Sequence, residues 1–277
     1  MKIIDGKALA AKMRAKLKEK IDASELKPGL AVVLVGEDPA SQIYVRNKIK
    51  ACEEIGVKSY AYRLPADTSQ KQLEDLLEEL AASKDIHGIL LQLPLPKGLQ
   101  AEPAMAKIPY EKDVDGFSKE NLGKLVLKED GLVSCTPYGV MKMLESEGIS
   151  PKGKRAVVLG RSDTVGKPMA LLLLNADATV TVCHSKTQNL KEICQEADIL
   201  VAAIGRAKFV TEDMVKEGAV VVDVGINRDE NGKLCGDVDY ENVAKKASYI
   251  TPVPGGVGPM TITMLMYNTC LAAFGSI

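Results

Sequence analysis

The sequence predicts an α/β protein of two domains built on parallel sheets, and three observations predict it. The chain has 277 residues, about twice the ~150 of a typical domain. Short β-branched runs alternate with amphipathic stretches, the pattern of repeated βαβ units. The runs are apolar almost throughout, as strands covered by helices on both faces must be.

Residues 30–35, 57–63 and 87–92 read as strands of the first domain, with a helix over 39–55 behind the first. From about 94 to 137 the periodicity weakens around Lys112-Asp113-Val114-Asp115-Gly116, and loops of this kind carry function. A helix over about 138–147 leads to the polar turn Ser150-Pro151-Lys152-Gly153-Lys154, which feeds strands at 155–159, 179–182, 199–204 and 220–224. The rigid loop Thr251-Pro252-Val253-Pro254-Gly255-Gly256-Val257-Gly258-Pro259 precedes an apolar helix over 260–274, with Pro259 suited to its first turn. A long apolar helix needs a surface to dock on, and it is expected to return to the first domain. The predicted domains are 1–140, completed by the helix at about 258–277, and 141–257.

Composition narrows the function. With 36 basic against 37 acidic residues and a net charge of −1, no global field attracts nucleic acid or an anionic membrane. The six cysteines form no Cys-x-x-Cys pair and sit near no histidine cluster, so no metal site is expected. The start Met1-Lys2-Ile3-Ile4-Asp5-Gly6 lacks the pattern of a signal peptide. No run of about 18 apolar residues is evident, so a cytoplasmic protein with reduced thiols is expected. Two histidines and no tryptophan leave lysine and carboxylates as the catalysts of choice.

The strand at 155–159 runs into Gly160-Arg161-Ser162-Asp163-Thr164-Val165-Gly166-Lys167-Pro168 and then a helix. A strand, a glycine turn and a helix start let a phosphate approach free backbone N–H groups; a ligand-free βα turn has the same outline. In an NAD-binding fold an acid follows at the end of the next strand and bonds the ribose hydroxyl. Here that strand ends in Cys183-His184-Ser185-Lys186. With Arg161 nearby, Ser185 and Lys186 favour a 2′-phosphate and hence NADP, unless Ser185 merely caps the next helix.

Tyr44 and Lys48 are spaced i,i+4 and share one helix face. A phenol beside an ammonium can serve proton transfer, or the pair can be an ordinary boundary tyrosine and solvated lysine. Tyr-x-x-x-Lys also marks short-chain dehydrogenases, but there it follows the glycine turn, whereas here it precedes it. Gln92 closes a buried strand before Leu93-Pro94-Leu95-Pro96, at the carboxyl edge of a parallel sheet where crevices form. Asp115 precedes Gly116, and Asp-Gly is first a turn signal. His87 and His184 read as structural, and the ten methionines as helix packing.

Six segments resemble, in order, the methylenetetrahydrofolate dehydrogenase/methenyltetrahydrofolate cyclohydrolase family. They are Tyr44-x-x-x-Lys48, Gln92 to Pro96, Lys112 to Gly116, Gly160 to Gly166, Cys183-His184-Ser185, and Pro252 to Thr261. The resemblance spans essentially the whole chain. It implies oxidation of 5,10-methylenetetrahydrofolate with NADP, then hydrolysis of the methenyl cation to 10-formyltetrahydrofolate in one cleft between the domains, and a homodimer joined through the nucleotide domain, for which the apolar stretch 199–204 offers a surface. It implies Lys48 as principal catalyst, Tyr44 orienting the folate, Gln92 tuning the lysine and Asp115 gripping the pterin. Leu93, Pro94, Pro254, Gly255 and Gly256 would complete the folate side, and Gly160, Arg161, Ser162, Val165, Gly166, His184, Ser185, Gly225 and Ile226 the NADP side. The alternatives are an amino-acid or shikimate-type dehydrogenase on the same two-domain plan, and a non-catalytic nucleotide-binding module.

Overall fold

The computed structural model describes residues 1–277. In chain order the elements begin β1 (Lys2–Ile3), α1 (Gly6–Asp22), β2 (Gly29–Val35), α2 (Pro39–Ile55), β3 (Lys58–Leu64), α3 (Gln70–Ala82) and β4 (Gly88–Leu91). Next come α4 (Ala101–Met105), α5 (Lys119–Leu127), α6 (Cys135–Ser146), β5 (Arg155–Leu159), α7 (Gly166–Asn175), β6 (Thr179–Cys183) and α8 (Leu190–Gln195). The chain ends with β7 (Ile199–Ala202), β8 (Val220–Asp223), β9 (Asn227–Arg228), β10 (Leu234–Cys235), α9 (Tyr240–Val243), β11 (Tyr249–Ile250) and α10 (Val257–Phe274). These fall into two compact units, Lys12–Cys135 with Ile262–Ile277, and Met1–Ala11 with Thr136–Thr261.

The first unit holds a parallel sheet in the order β3-β2-β4. Central β2 is buried at every residue, whereas edge strand β3 alternates between exposed and partly buried positions. The apolar-throughout pattern thus fails at edge strand β3 but holds at the other edge, where β4 is buried at all four residues. Helix α2 follows from its punctuation: Asp38 caps it by accepting the Ser41 N–H at 2.7 Å, and Pro39 opens it. Gly56 closes it in the left-handed region at φ 85°, with its N–H on Cys52 O. Helix α3 starts on a reciprocal capping box between Ser69 and Gln72. Its Leu73, Leu77 and Leu80 join Ala31, Val33 and Val35 of β2 and Ile89 and Leu91 of β4 in one core cluster.

The second unit is a six-stranded parallel sheet in the order β1-β11-β8-β7-β5-β6. From β5 the chain runs outward to β6 and then back past β5 to β7, so the strand order reverses between β5 and β7, where such sheets bind ligands. Residues 1–11 and 136–140, read above with the first domain, lie in this unit. Lys2 N–H bonds Ser248 O at 2.7 Å and Ile4 N–H bonds Ile250 O at 2.9 Å, adding the N-terminus to the sheet edge. Strand β7, a segment that suggested an apolar surface for dimerisation, is wholly buried at the sheet centre.

Helix α10 corrects the reading that no long apolar stretch exists: its 18 residues are apolar enough to span a membrane, yet half are buried inside the protein. Its Ile262–Phe274 part lies in the first unit, as the expected return of this helix requires. Met266 Sδ lies 3.6 Å from Cys52 Sγ, and Thr263 Oγ1 accepts from Arg14 Nη1 at 3.0 Å. Those contacts are the marks of a core helix.

Candidate active site

In the first unit the strand order reverses between β2 and β4, and the residues beyond their carboxyl ends frame the crevice. The Gln92 N–H bonds Val33 O at 2.8 Å, which fixes this residue at the end of β4. Its amide NH₂ donates to Leu93 O at 2.7 Å, so its Oε1 is turned to accept, and Lys48 Nζ donates to it at 3.0 Å. The strand-end amide thus holds the lysine of α2. Tyr44, one turn earlier on α2, is 41% exposed. Leu93 follows Gln92 and is joined to Pro94 by a cis peptide bond.

The two aspartates of the 112–116 turn have separate jobs. Asp113 is buried and structural: its Oδ2 accepts the Ser118 N–H at 2.7 Å and Asn121 Nδ2 at 3.2 Å, anchoring the start of α5. Lys112 secures the turn from the other side, donating to Ala81 O at 2.8 Å and Ser83 O at 2.7 Å at the end of α3. Gly116 takes φ +72°, and a Cβ there would fall 2.5 Å from Ser134 N. Asp115 is partly buried on the same turn. Burial lifts its carboxyl to about 6, with the Lys48 charge pulling down and Asp113 pushing up. The thiol of Cys135 is raised well above its usual range by burial, then by Asp115, and donates to Val114 O at 3.2 Å.

In the second unit, Gly160 ends β5 with φ +119°, and a Cβ there would meet Ala203 O at 2.2 Å. A Cβ on Gly166 would meet Gly160 O at 2.3 Å, so both glycines permit the tight strand–turn–helix approach that a pyrophosphate needs. The expectation of free N–H groups at this helix start is corrected. Ser162 Oγ accepts from Val165 N and Gly166 N, each at 3.2 Å, and Ser162 O accepts from Lys167 N at 3.0 Å. Ser162, which replaces the second glycine of the usual fingerprint, caps the helix itself. Arg161 and Ser185 are exposed. Leu159 pairs with Cys183 across the sheet, so each lies two residues past a paired strand end. Ser185 is not the cap of α8, which begins at Leu190 with Asn189 before it. The His184 N–H is held by Thr187 Oγ1 at 2.8 Å, and its Nδ1 accepts the Lys186 N–H at 3.2 Å.

Gly225 and Ile226 follow β8 beside a buried carboxylate pair. Asp223 accepts the N–H groups of Gly225, Asp237 and Val238, each at 2.9 Å. Asp237 accepts those of Ile204, Gly205 and Arg206 at 2.7–3.0 Å. A Cβ on Gly225 would lie 2.3 Å from Asp237 Oδ1, while Ile226 is 50% exposed. Farther on, Gly255 takes φ +103° and its carbonyl accepts the Lys7 N–H at 2.9 Å. Gly256 packs on Pro252 O, and Pro254 is exposed after a second cis bond.

The structure therefore brings Lys48, Gln92 and Asp115 together in one unit, with Tyr44, Leu93 and Pro94 on the same elements. The glycine turn, Arg161, His184, Ser185, Gly225, Ile226 and the 254–256 loop belong to the other. Sequence reasoning missed Cys135, Asn268 and the Asp223–Asp237 pair. Asp223 ends β8 and Asp237 follows β10, so no local spacing in the sequence links the pair.

Two family models match the chain: tetrahydrofolate dehydrogenase/cyclohydrolase, catalytic domain, over residues 4–115, and the NAD(P)-binding domain of the same family over 134–276. The bifunctional protein FolD of Campylobacter concisus is 60% identical over 278 aligned positions, covering 99% of this chain and 98% of the relative. The crystal structure of the Campylobacter jejuni bifunctional enzyme FolD, a methylenetetrahydrofolate dehydrogenase/cyclohydrolase, is 51% identical, covers 99% of both chains and gives a TM-score of 0.98. A Trypanosoma brucei methylenetetrahydrofolate dehydrogenase-cyclohydrolase, solved with NADP cofactor and inhibitor, is 40% identical with a TM-score of 0.92, covering 98% of this chain and 96% of that one. Matched by both models and by relatives along its whole length, the chain belongs to the tetrahydrofolate dehydrogenase/cyclohydrolase family.

Proposed function

We propose that this protein oxidises 5,10-methylenetetrahydrofolate to the 5,10-methenyl form with NADP, and hydrolyses that cation to 10-formyltetrahydrofolate. The observation that carries the reading is the Lys48–Gln92 hydrogen bond of 3.0 Å with Asp115 within reach of the lysine's charge. Family membership along the whole chain sets it above an amino-acid or shikimate-type dehydrogenase and above a binding module.

NADP fits the second unit. The approach of Gly160 and Gly166 leaves room for a pyrophosphate, Arg161 and Ser185 would hold the 2′-phosphate, and His184, Gly225 and Ile226 would line the remainder. When bound, the cofactor supplies a hydride acceptor. On the folate side, Asp115 accepts hydrogen bonds from the pterin amino and ring N–H groups, and Tyr44 stacks against or orients the ring. Leu93 and Pro94 complete the folate contacts within the first unit.

For hydrolysis, Lys48 in its amine form donates one hydrogen to Gln92 Oε1 and directs its lone pair at a proton of the attacking water, and the ammonium form so produced is the charge that faces Asp115. The water oxygen bonds the methenyl carbon as one of its protons passes to Nζ; Nζ returns that proton to N5 as the carbon–N5 bond breaks, and the remaining hydroxyl proton leaves to solvent as the formyl C=O forms. Gln92 sets the direction of the lone pair. The reading extends to one-carbon metabolism feeding purine, methionine and histidine synthesis, in the cytoplasm, by a homodimer joined through the second unit. Edge strand β6, with Val182 exposed and Leu174 nearby on α7 also exposed, supports that dimer face.

Two assays on the purified chain test the function: appearance of reduced nicotinamide absorbance with methylenetetrahydrofolate and NADP, and loss of methenyl absorbance without cofactor. Activity in both is expected. Absence of either contradicts the bifunctional reading, and light scattering showing only a 29.7 kDa species contradicts the dimer.

A further inference from the structure

Val114, Val133 and Asn268 come from three distant parts of the first unit and meet at one side chain. Asn268, fully buried on α10, donates from Nδ2 to Val114 O at 2.9 Å and to Val133 O at 2.8 Å. The first carbonyl precedes Asp115, and the second lies in the segment against which Gly116 rests, with no room for a Cβ between them. Cys135, which donates to the same Val114 carbonyl, has its sulfur 3.7 Å from the Asn268 amide. Two donors of one amide thus join the two backbone segments that flank the carboxylate.

Nothing accepts or donates at the other end of that side chain. Asn268 Oδ1 is buried with no hydrogen-bond partner, a state that costs free energy and that an apolar residue of the same size would avoid. The amide cannot be turned round to relieve it, because Oδ1 would then face two carbonyl oxygens. The position therefore favours the two donated bonds over a satisfied core.

We propose that Asn268 is a positioning residue for Asp115, holding the 113–116 turn against the 133–135 segment so that the carboxylate faces the substrate and Lys48. The inference rests on the reading of Asp115 as the folate-binding carboxylate. The groups facing Asp115 are Lys48 from α2, Asp113 from its own turn and the Cys135 thiol from the start of α6. A shift of the turn changes its distance to all three. Since Asn268 touches neither reacting atom nor cofactor residue, its loss should act on folate alone.

The test compares full-length wild type, Asn268→Leu, Asn268→Ser and Asp115→Asn. The readouts are kcat and KM for methenyltetrahydrofolate hydrolysis from pH 5 to 8, NADP affinity by calorimetry, and the melting curve. Asn268→Leu keeps the volume and removes both donors, and Asn268→Ser keeps one. Expected are a folate KM raised about tenfold in the leucine variant and less in the serine variant. The acidic limb of the pH profile should be displaced, and NADP affinity should stay within about twofold. A folded Asn268→Leu with wild-type KM and pH profile beside an impaired Asp115→Asn overturns the inference alone. Equal loss of folate and NADP also overturns it, since that is general unfolding. If the leucine variant fails to fold, the serine variant decides on the same criteria. An Asp115→Asn protein with unchanged folate KM overturns the underlying reading, and this inference with it.

Discussion

Lys48 Nζ donates to Gln92 Oε1 across 3.0 Å, tying the middle of α2 to the residue that ends β4. The bond crosses the carboxyl edge of the three-stranded sheet at the place where its strand order reverses. Gln92 can play this part because its own NH₂ is already committed to Leu93 O, which fixes the amide's orientation.

Gln92→Leu removes the acceptor and keeps the volume. Hydrolysis should fall by about tenfold or more, the order of one lost hydrogen bond to a charged or reacting group. Unfolding in urea, followed by circular dichroism, should move by no more than ~1 kcal/mol because the amide is only partly buried. Unchanged steady-state rates would show that the amide merely finishes the strand.

Asp115→Asn should make the protein more stable while impairing folate binding. The carboxyl lies at about 6 in the folded chain against 3.8 as a reference, because burial favours its neutral form. The native state then binds more protons than the unfolded state between those values, so stability falls as pH rises through the interval and levels off above it. Asparagine removes that share, giving a gain of ~1–3 kcal/mol above pH 6 and almost none at pH 4. Asp223, also raised to about 6 by burial, keeps a slope of the same sign in the variant. Denaturant titrations at several pH values measure this, and equal gains at pH 4 and 7 would exclude a carboxylate cause.

Arg161→Ala should raise the Michaelis constant for NADP by about ten- to a hundredfold and leave that for NAD nearly fixed, since a charge-assisted contact contributes ~1.5–3 kcal/mol. Arg161 is exposed and stands beyond the end of β5 beside Ser185 beyond β6. Equal losses for both cofactors would mean that it shapes the glycine turn.

What could be read from the sequence was what depends on near neighbours. Helix α2 has its bounds as expected because Asp38, Pro39 and Gly56 act within a few residues. The residues alone placed Lys48 on a helix face and Gln92 at a strand end, and only the family resemblance implied that the two meet. What could not be read depends on partners far along the chain. Strand β1 is two residues long and exists through bonds to Ser248 and Ile250. Strand β7 looked like exposed apolar surface because an uninterrupted apolar run does not say whether it has neighbours on both sides. Ser162 looked like a missing glycine, and only the turn's geometry shows its hydroxyl on two N–H groups. Asn268 sat in a stripe of methionines that reads as packing, its acceptors lying more than a hundred residues upstream.

The most direct test is Lys48→Met, assayed for methenyltetrahydrofolate hydrolysis and, by calorimetry, for NADP binding. Lys48 lies in the first unit and the residues proposed to hold the cofactor in the second. Hydrolysis should fall by about 10²–10⁴-fold, the contribution of a general base, while the NADP dissociation constant stays within about twofold of wild type. Near wild-type hydrolysis by the folded variant would contradict the assignment of Lys48 as the group that takes the proton from water.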